Sequence, residues 1–150
     1  MKKLIGKTKN NLNVYVILDN KHMLAHASVT EKLLIEALAK ITYTKPFWMG
    51  TVELDHVTGK NACVETTKED DVRLEARPGR ETLSRVVYSR TPEETTLLTV
   101  GICTDDDGLE TVFTAFPGPK VPKELSDPRL TEEERPEAEA FWANHALCKQ

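Results

Sequence analysis

The 150-residue chain has no lysine between Lys68 and Lys120, no Cys-x-x-Cys pair, no glycine-rich phosphate loop and no long apolar run. Each absence removes a class of protein. No stretch approaches the roughly 18 apolar residues of a membrane-spanning helix, so no membrane partner is expected. Cys63, Cys103 and Cys148 are odd in number and widely spaced. That argues against a disulfide framework and a zinc knuckle, and reduced thiols of a cytoplasmic protein are the simplest account. Neither a Rossmann fingerprint nor a Walker motif is present. The basic start, Met1 to Lys7, is followed at once by Lys9 and Asn10, not by an apolar segment, so no cleaved leader is expected. His22, His26, His56 and His145 show no metal-ligand spacing, and Asp105-Asp106-Asp107-Gly108 lacks the twelve-residue calcium pattern. No metal or other cofactor is expected.

What the chain does have is arginine in one place. Arg73, Arg77, Arg80, Arg85 and Arg90 are five of its seven arginines, all within residues 72–90. Arginine offers a planar fork that matches a carboxylate or phosphate with two parallel hydrogen bonds, which lysine does not. Charge is uneven as well. Residues 1–71 hold 10 basic and 9 acidic side chains, net +1; residues 72–90 hold 5 and 2, net +3; residues 91–150 hold 5 and 13, net −8. The arginine stretch therefore reads as an anion-binding surface on an otherwise acidic chain. A short or single-stranded anion suits it better than a long duplex passing over the acidic third. The competing reading is surface salt bridges to Glu75, Glu81, Glu93 and Glu94.

The length suits one domain, residues 1–150. Leu12 to Leu18 is β-branched and aromatic and predicts a strand, with Met23 to Val29 returning as an N-terminal hairpin. Ser28 with Glu31 has the form of a capping box, with Thr30 as a rival cap, and Leu33, Leu34, Ala37, Leu38 and Ile41 fall on one helical face. Phe47 to His56 and Ala62 to Thr67 read as strands around a turn at Thr58 to Asn61. Val72 to Arg77 alternates, so Val72, Leu74 and Ala76 are expected inward and Arg73, Glu75 and Arg77 outward. Pro78-Gly79 ends that strand. Arg80 to Arg90 fits a short helix by the spacing of Leu83, Val86 and Val87, although Val86-Val87-Tyr88 favours a strand. Leu97 to Thr104 and Glu110 to Phe116 form the strongest hairpin signal. Prolines at 117, 119, 122 and 128 mark an irregular segment, and Thr131 with Glu134 opens a C-terminal helix carrying Ala138, Phe141, Trp142 and His145. The expected fold is α+β: a mainly antiparallel sheet with an N-terminal hairpin, a central helix and a C-terminal helix packed on it.

Candidate site residues follow from this layout. Arg73 and Arg77 share a strand face, and Arg80 and Arg85 flank the next turn with Ser84 beside them. Arg90, next to Glu93 and Glu94, reads as a salt-bridge partner, which leaves Arg77, Arg80 and Arg85. Thr114 shares a predicted face with Val112 and Phe116, where it lines a pocket or serves as a core hydroxyl. His56 ends a strand beside Asp55, as a general base or as a structural histidine. Cys63 as a nucleophile would need a base, and His145 reads as a core histidine bonded to a carbonyl.

Arg77-Pro78-Gly79-Arg80, Leu83-Ser84-Arg85, Arg90-Thr91-Pro92-Glu93, Thr114-Ala115-Phe116-Pro117-Gly118 and Phe141-Trp142-Ala143-Asn144-His145-Ala146-Leu147 resemble short motifs of a group of small bacterial proteins. Their order is similar to that in toxin domains of the barnase–EndoU–colicin–RelE ribonuclease superfamily. The resemblance covers less than a third of the chain. It implies a cytoplasmic, RNA-directed protein that cleaves RNA without a metal. In that mechanism His56 is the base, Arg80, Arg85 and Ser84 are catalytic, and Arg77 and Thr114 bind substrate. Two other readings share the same arginines: a non-enzymatic module that docks a protein partner, and a binder of a small phosphate or carboxylate ligand.

Overall fold

A computed structural model describes residues 2–17, 29–80 and 82–148. The fold is α+β, with mainly antiparallel sheets. The contacts divide the chain into two compact units, each discontinuous in sequence. Unit 1 comprises Met1–Lys60 and Glu94–Lys120, and unit 2 comprises Asn61–Glu93 and Val121–Gln150.

Unit 1 is built on a five-stranded sheet. Its strands are β1 (Lys2–Lys7), β2 (Asn13–Ile17), β3 (Phe47–Glu53), β9 (Leu97–Thr104) and β10 (Glu110–Pro117), in the order β1-β2-β10-β9-β3. All its neighbours run antiparallel except β2 and β10. The N-terminal hairpin is β1 with β2; the predicted return strand from Met23 falls almost wholly outside the described residues, as do His22, His26 and Ser28. Helix α1 (Glu31–Leu38) starts at Thr30, whose hydroxyl accepts the Leu33 N–H at 3.2 Å. Its Leu33, Leu34, Ala37 and Leu38 are buried and join Val14, Leu98, Val100, Ile102 and Val112 in one core. Burial of each such aliphatic side chain contributes about 1.5–3 kcal/mol relative to exposure.

The β9–β10 hairpin forms as expected, with one correction. A bulge between Val112 and Thr114 places Thr114 opposite Gly101, so Ala115, and not Thr114, follows Val112 into the core. The space comes from Gly101, where a Cβ would lie 2.5 Å from the Phe113 ring and 2.9 Å from the Thr114 methyl.

Unit 2 holds a four-stranded sheet in the order β5-β11-β7-β6. The strands are β5 (Cys63–Glu65), β6 (Val72–Glu75), β7 (Ser84–Val87) and β11 (His145–Cys148), with β11 and β7 parallel. Three expectations are corrected here. Ser84–Val87 is a strand and not a helix, because its β-branched pair sits between two partner strands. Helix α2 (Arg135–Trp142) stops before His145, which opens β11. Leu74 is 61% exposed although its alternation points inward, because β6 is the outermost strand of its sheet. The capping box does form: the Thr131 hydroxyl accepts the Glu134 N–H at 3.2 Å and Glu134 accepts the Thr131 N–H at 3.1 Å, on the turn leading into α2. Gly59–Asn61 (β4) and Glu93–Thr95 (β8) make a separate two-stranded sheet, so the expected turn at Gly59 to Asn61 is a short strand. Among the described residues no helix is long and apolar enough to cross a membrane.

Candidate functional site

The turn Arg77-Pro78-Gly79-Arg80 brings the first two candidates together. The Arg80 N–H bonds the Arg77 carbonyl at 3.2 Å, and Gly79 has φ +75°. Proline at the second position and a positive-φ glycine at the third are what a type II turn requires. Such a turn holds its first and fourth residues within about 7 Å, so both guanidinium groups reach one carboxylate. That carboxylate is Glu124: Arg77 Nη1 pairs with Oε2, and Arg80 Nη2 lies 3.8 Å from the same atom.

Arg80 also approaches Asp127, with Nη1 3.7 Å from Oδ2. That nitrogen is buried and has no hydrogen-bond partner among the described residues. Burial raises the pKa of Asp127, but the Arg129 N–H and guanidinium and the charge of Arg80 outweigh it and hold the carboxyl below its usual range. A donor left unbonded in a buried place costs about 1–3 kcal/mol, which an anionic oxygen would recover.

Ser84 and Arg85 open β7 next to this cluster. Together with Leu83, Glu124, Leu125, Ser126 and Trp142 they line a cleft of about 40 Å³. That is far below the ~300 Å³ of a small-molecule site, so the cleft admits one group of a larger ligand. Ser84 and Ser126 are buried with their hydroxyls 2.9 Å apart. Arg85 bonds the His145 carbonyl (3.2 Å) and the Thr66 hydroxyl (3.5 Å) and forms no ion pair among the described residues. Trp142, which also lines the cleft, is held by its indole N–H, which donates to the carbonyls of Pro122 (3.2 Å) and Lys123 (3.1 Å).

Four of the six predicted residues lie in unit 2: Arg77 and Arg80 pair with Glu124, and Ser84 and Arg85 share with it the lining of the cleft. His56 and Thr114 belong to unit 1. His56 is exposed; its Nε2 lies 2.5 Å from Glu36 Oε2 and its Nδ1 3.1 Å from the Val57 carbonyl. The Glu36 hydrogen bond, then the Val57 carbonyl, raise its pKa above the ordinary histidine value. Thr114 is nearly buried in β10.

The remaining arginines of the stretch are structural. Arg73 pairs with Asp71 at 2.9 Å and stacks over Tyr88 at 4.4 Å, while Arg90 lies 3.6 Å from Asp70. Their partners are not the expected Glu93 and Glu94, and Glu81 lies outside the described residues. His145 bonds the Phe141 carbonyl at 2.8 Å and stacks on that ring. Burial pushes the Cys63 thiol up to about 12, which keeps it from acting as a nucleophile at neutral pH.

Glu124, Ser126 and Asp127 had no signal in the sequence: they lie between Pro122 and Pro128 in a segment without periodicity. Unit 2 as a whole carries 10 basic and 14 acidic side chains, net −4, and unit 1 carries 10 of each. No family model, curated protein or solved structure matches the chain.

Proposed function

We propose that the chain is an RNA-directed protein whose unit 2 cleaves RNA without a metal, with Glu124 and not His56 as the general base. The observation that carries this reading is the pairing of Arg77 and Arg80 with Glu124, a carboxylate that lines one cleft with Ser84 and Arg85. Glu124 takes the proton from a ribose 2′-hydroxyl as that oxygen attacks the adjacent phosphorus. Water supplies the proton to the departing 5′-oxygen, leaving a 2′,3′-cyclic phosphate and a 5′-hydroxyl. Arg85, which lines the cleft, holds the phosphate oxygens and offsets the charge that develops on them, while Arg77 and Arg80 hold Glu124 in place. Ser84 orients the phosphate from the cleft wall.

The test is incubation of the purified chain with short RNAs in chelator, reading 2′,3′-cyclic phosphate ends. Glu124→Gln is expected to slow cleavage by about 10²-fold or more. Arg80→Ala with Arg85→Ala is expected to abolish it while circular dichroism stays native. Cleavage that survives these changes overturns the site.

A second reading, a protein-interaction module, is favoured by one feature. Unit 2 is net negative and leaves Leu74, Leu83 and Leu125 exposed by 61%, 52% and 39%. Leu83 and Leu125 flank the same cleft, with Arg85 as the cation for an acidic partner. Absence of cleavage over a range of RNAs would transfer the assignment to this module.

A further inference from the structure

His56 has no part in the proposed RNA chemistry, yet its surroundings are specific. It lies in unit 1 just after β3, beside Asp55, and faces Glu36 of α1. One carboxylate oxygen of Glu36, one of Asp55 and a ring nitrogen of His56 all lie within 4.8 Å of one another. We propose that Glu36, Asp55 and His56 form a divalent-cation site that takes zinc, with water as the fourth ligand.

Three independent features support it. The Nδ1 of His56 sits 3.1 Å from the Val57 carbonyl. An Nδ1–H donated there leaves Nε2 as the ligand atom, with a metal taking the place of the proton it shares with Glu36. Next, Glu36 is in the last turn of α1, and that turn has no basic residue. The carboxyl end of a helix carries partial negative charge, so a carboxylate there is unfavourable alone and a cation beside it is favoured. Lys40 does not fill this role, since its ammonium donates to the Glu53 carbonyl at 3.0 Å. Finally, the ligands stand on fixed backbone: Leu34, Ala37 and Leu38 anchor the helix in the core, and buried Leu54, whose N–H bonds the Thr96 carbonyl at 2.9 Å, anchors the chain next to Asp55.

Zinc accepts imidazole nitrogen and carboxylate oxygen at about 2.0–2.2 Å, which sets ligand atoms ~3.3 Å apart. Zinc entry requires the 2.5 Å His56–Glu36 contact to open to that spacing. Two carboxylates and a neutral imidazole balance the charge of the ion. The mixed nitrogen and oxygen set favours zinc over magnesium or calcium, which prefer oxygen alone.

The experiment is calorimetric titration of the tag-free chain with zinc chloride. It is paired with cobalt(II) as a probe whose visible absorption reports tetrahedral coordination. One saturable site per chain is expected. His56→Ala and Glu36→Gln should each weaken binding by at least about tenfold and remove the cobalt bands, with circular dichroism unchanged. Absence of saturable binding overturns the site, and so does binding that both variants retain, since zinc would then sit elsewhere, on the cysteines for example. RNA cleavage is read in chelator, so failure of the zinc site and failure of the ribonuclease reading are separate results.

Discussion

Unit 1 and unit 2 are each stabilised internally by different chemistry. Among the described residues, the core of unit 1 gathers fifteen buried apolar side chains around α1, β9 and β10, whereas that of unit 2 gathers four, Val64, Val87, Ala146 and Cys148. Unit 2 makes up the difference with polar contacts. The Ser84–Ser126 hydroxyl pair is buried, Arg80 is packed against Glu124 and Asp127, and Trp142 anchors the Pro-rich segment through two carbonyls. Directional contacts of this kind fix side chains at set distances but add little net stability each. The poorer core therefore coincides with the better-defined polar site.

The largest effect is expected in the apolar unit. Ile102 is fully buried on β9. Ile102→Ala should destabilise the chain by about 2–5 kcal/mol in urea denaturation, through lost transfer energy and the cavity left behind. Val87→Ala in unit 2 should cost less, since it removes fewer methyl groups from a smaller cluster. A larger cost for Val87→Ala would break the comparison.

Next comes the polar unit. Asp127→Asn leaves the Arg80 guanidinium without one of its two carboxylates and should cost about 1–3 kcal/mol. Its pH dependence has a definite sign. The Asp127 carboxyl is held below its ordinary value, so its contribution is complete above about pH 4 and is lost as pH falls through the lowered folded value. Denaturation midpoints taken from pH 5 down to pH 2 should therefore fall more steeply for the parent chain than for Asp127→Asn. Equal slopes would mean that Asp127 is not held by its arginines. Unit 1 has an analogue in Glu110. There burial raises the pKa and the hydroxyls of Tyr43 and Thr104, with Lys45, more than offset it, so hydroxyls and not guanidinium groups dominate.

How much of each unit was legible in the sequence follows the same division. Strands in unit 1 such as Asn13–Ile17 and Leu97–Thr104 are rich in β-branched and apolar residues and declare themselves. Strand β1 does not, because Lys2, Lys3 and Lys7 give an edge strand the look of a polar tail. In unit 2 the short strands mislead. Leu83, Val86 and Val87 match a helical spacing that pairing with β6 and β11 overrides. His145 continues the period of α2 by coincidence, although the helix has already ended. Thr114 was misplaced by the bulge, a one-residue event that alternation cannot reveal. Arginines were found by their clustering, but the carboxylates that receive them were not. Glu124 and Asp127 meet Arg77 and Arg80 across more than forty residues of chain, with only loop composition to mark them.

The smallest expected effect on stability gives the sharpest test of the comparison. Each unit has a turn glycine at positive φ with open space where a Cβ would go: Gly108 at +79° in the β9–β10 turn and Gly79 at +75° between β6 and β7. An alanine at either position is forced into the left-handed region and should cost about 1–2 kcal/mol. Gly108→Ala and Gly79→Ala should therefore match in urea denaturation. They should part in RNA cleavage, because Gly79 alone sets the turn that presents Arg77 and Arg80 to Glu124. Gly79→Ala should lower cleavage at least tenfold, since an ångström of misplacement is enough to disturb reacting groups. Gly108→Ala should leave it at the parent rate. Equal activity in the two variants would detach the arginine turn from the chemistry and leave Arg77 and Arg80 as ion-pair partners that hold the Pro-rich segment in place.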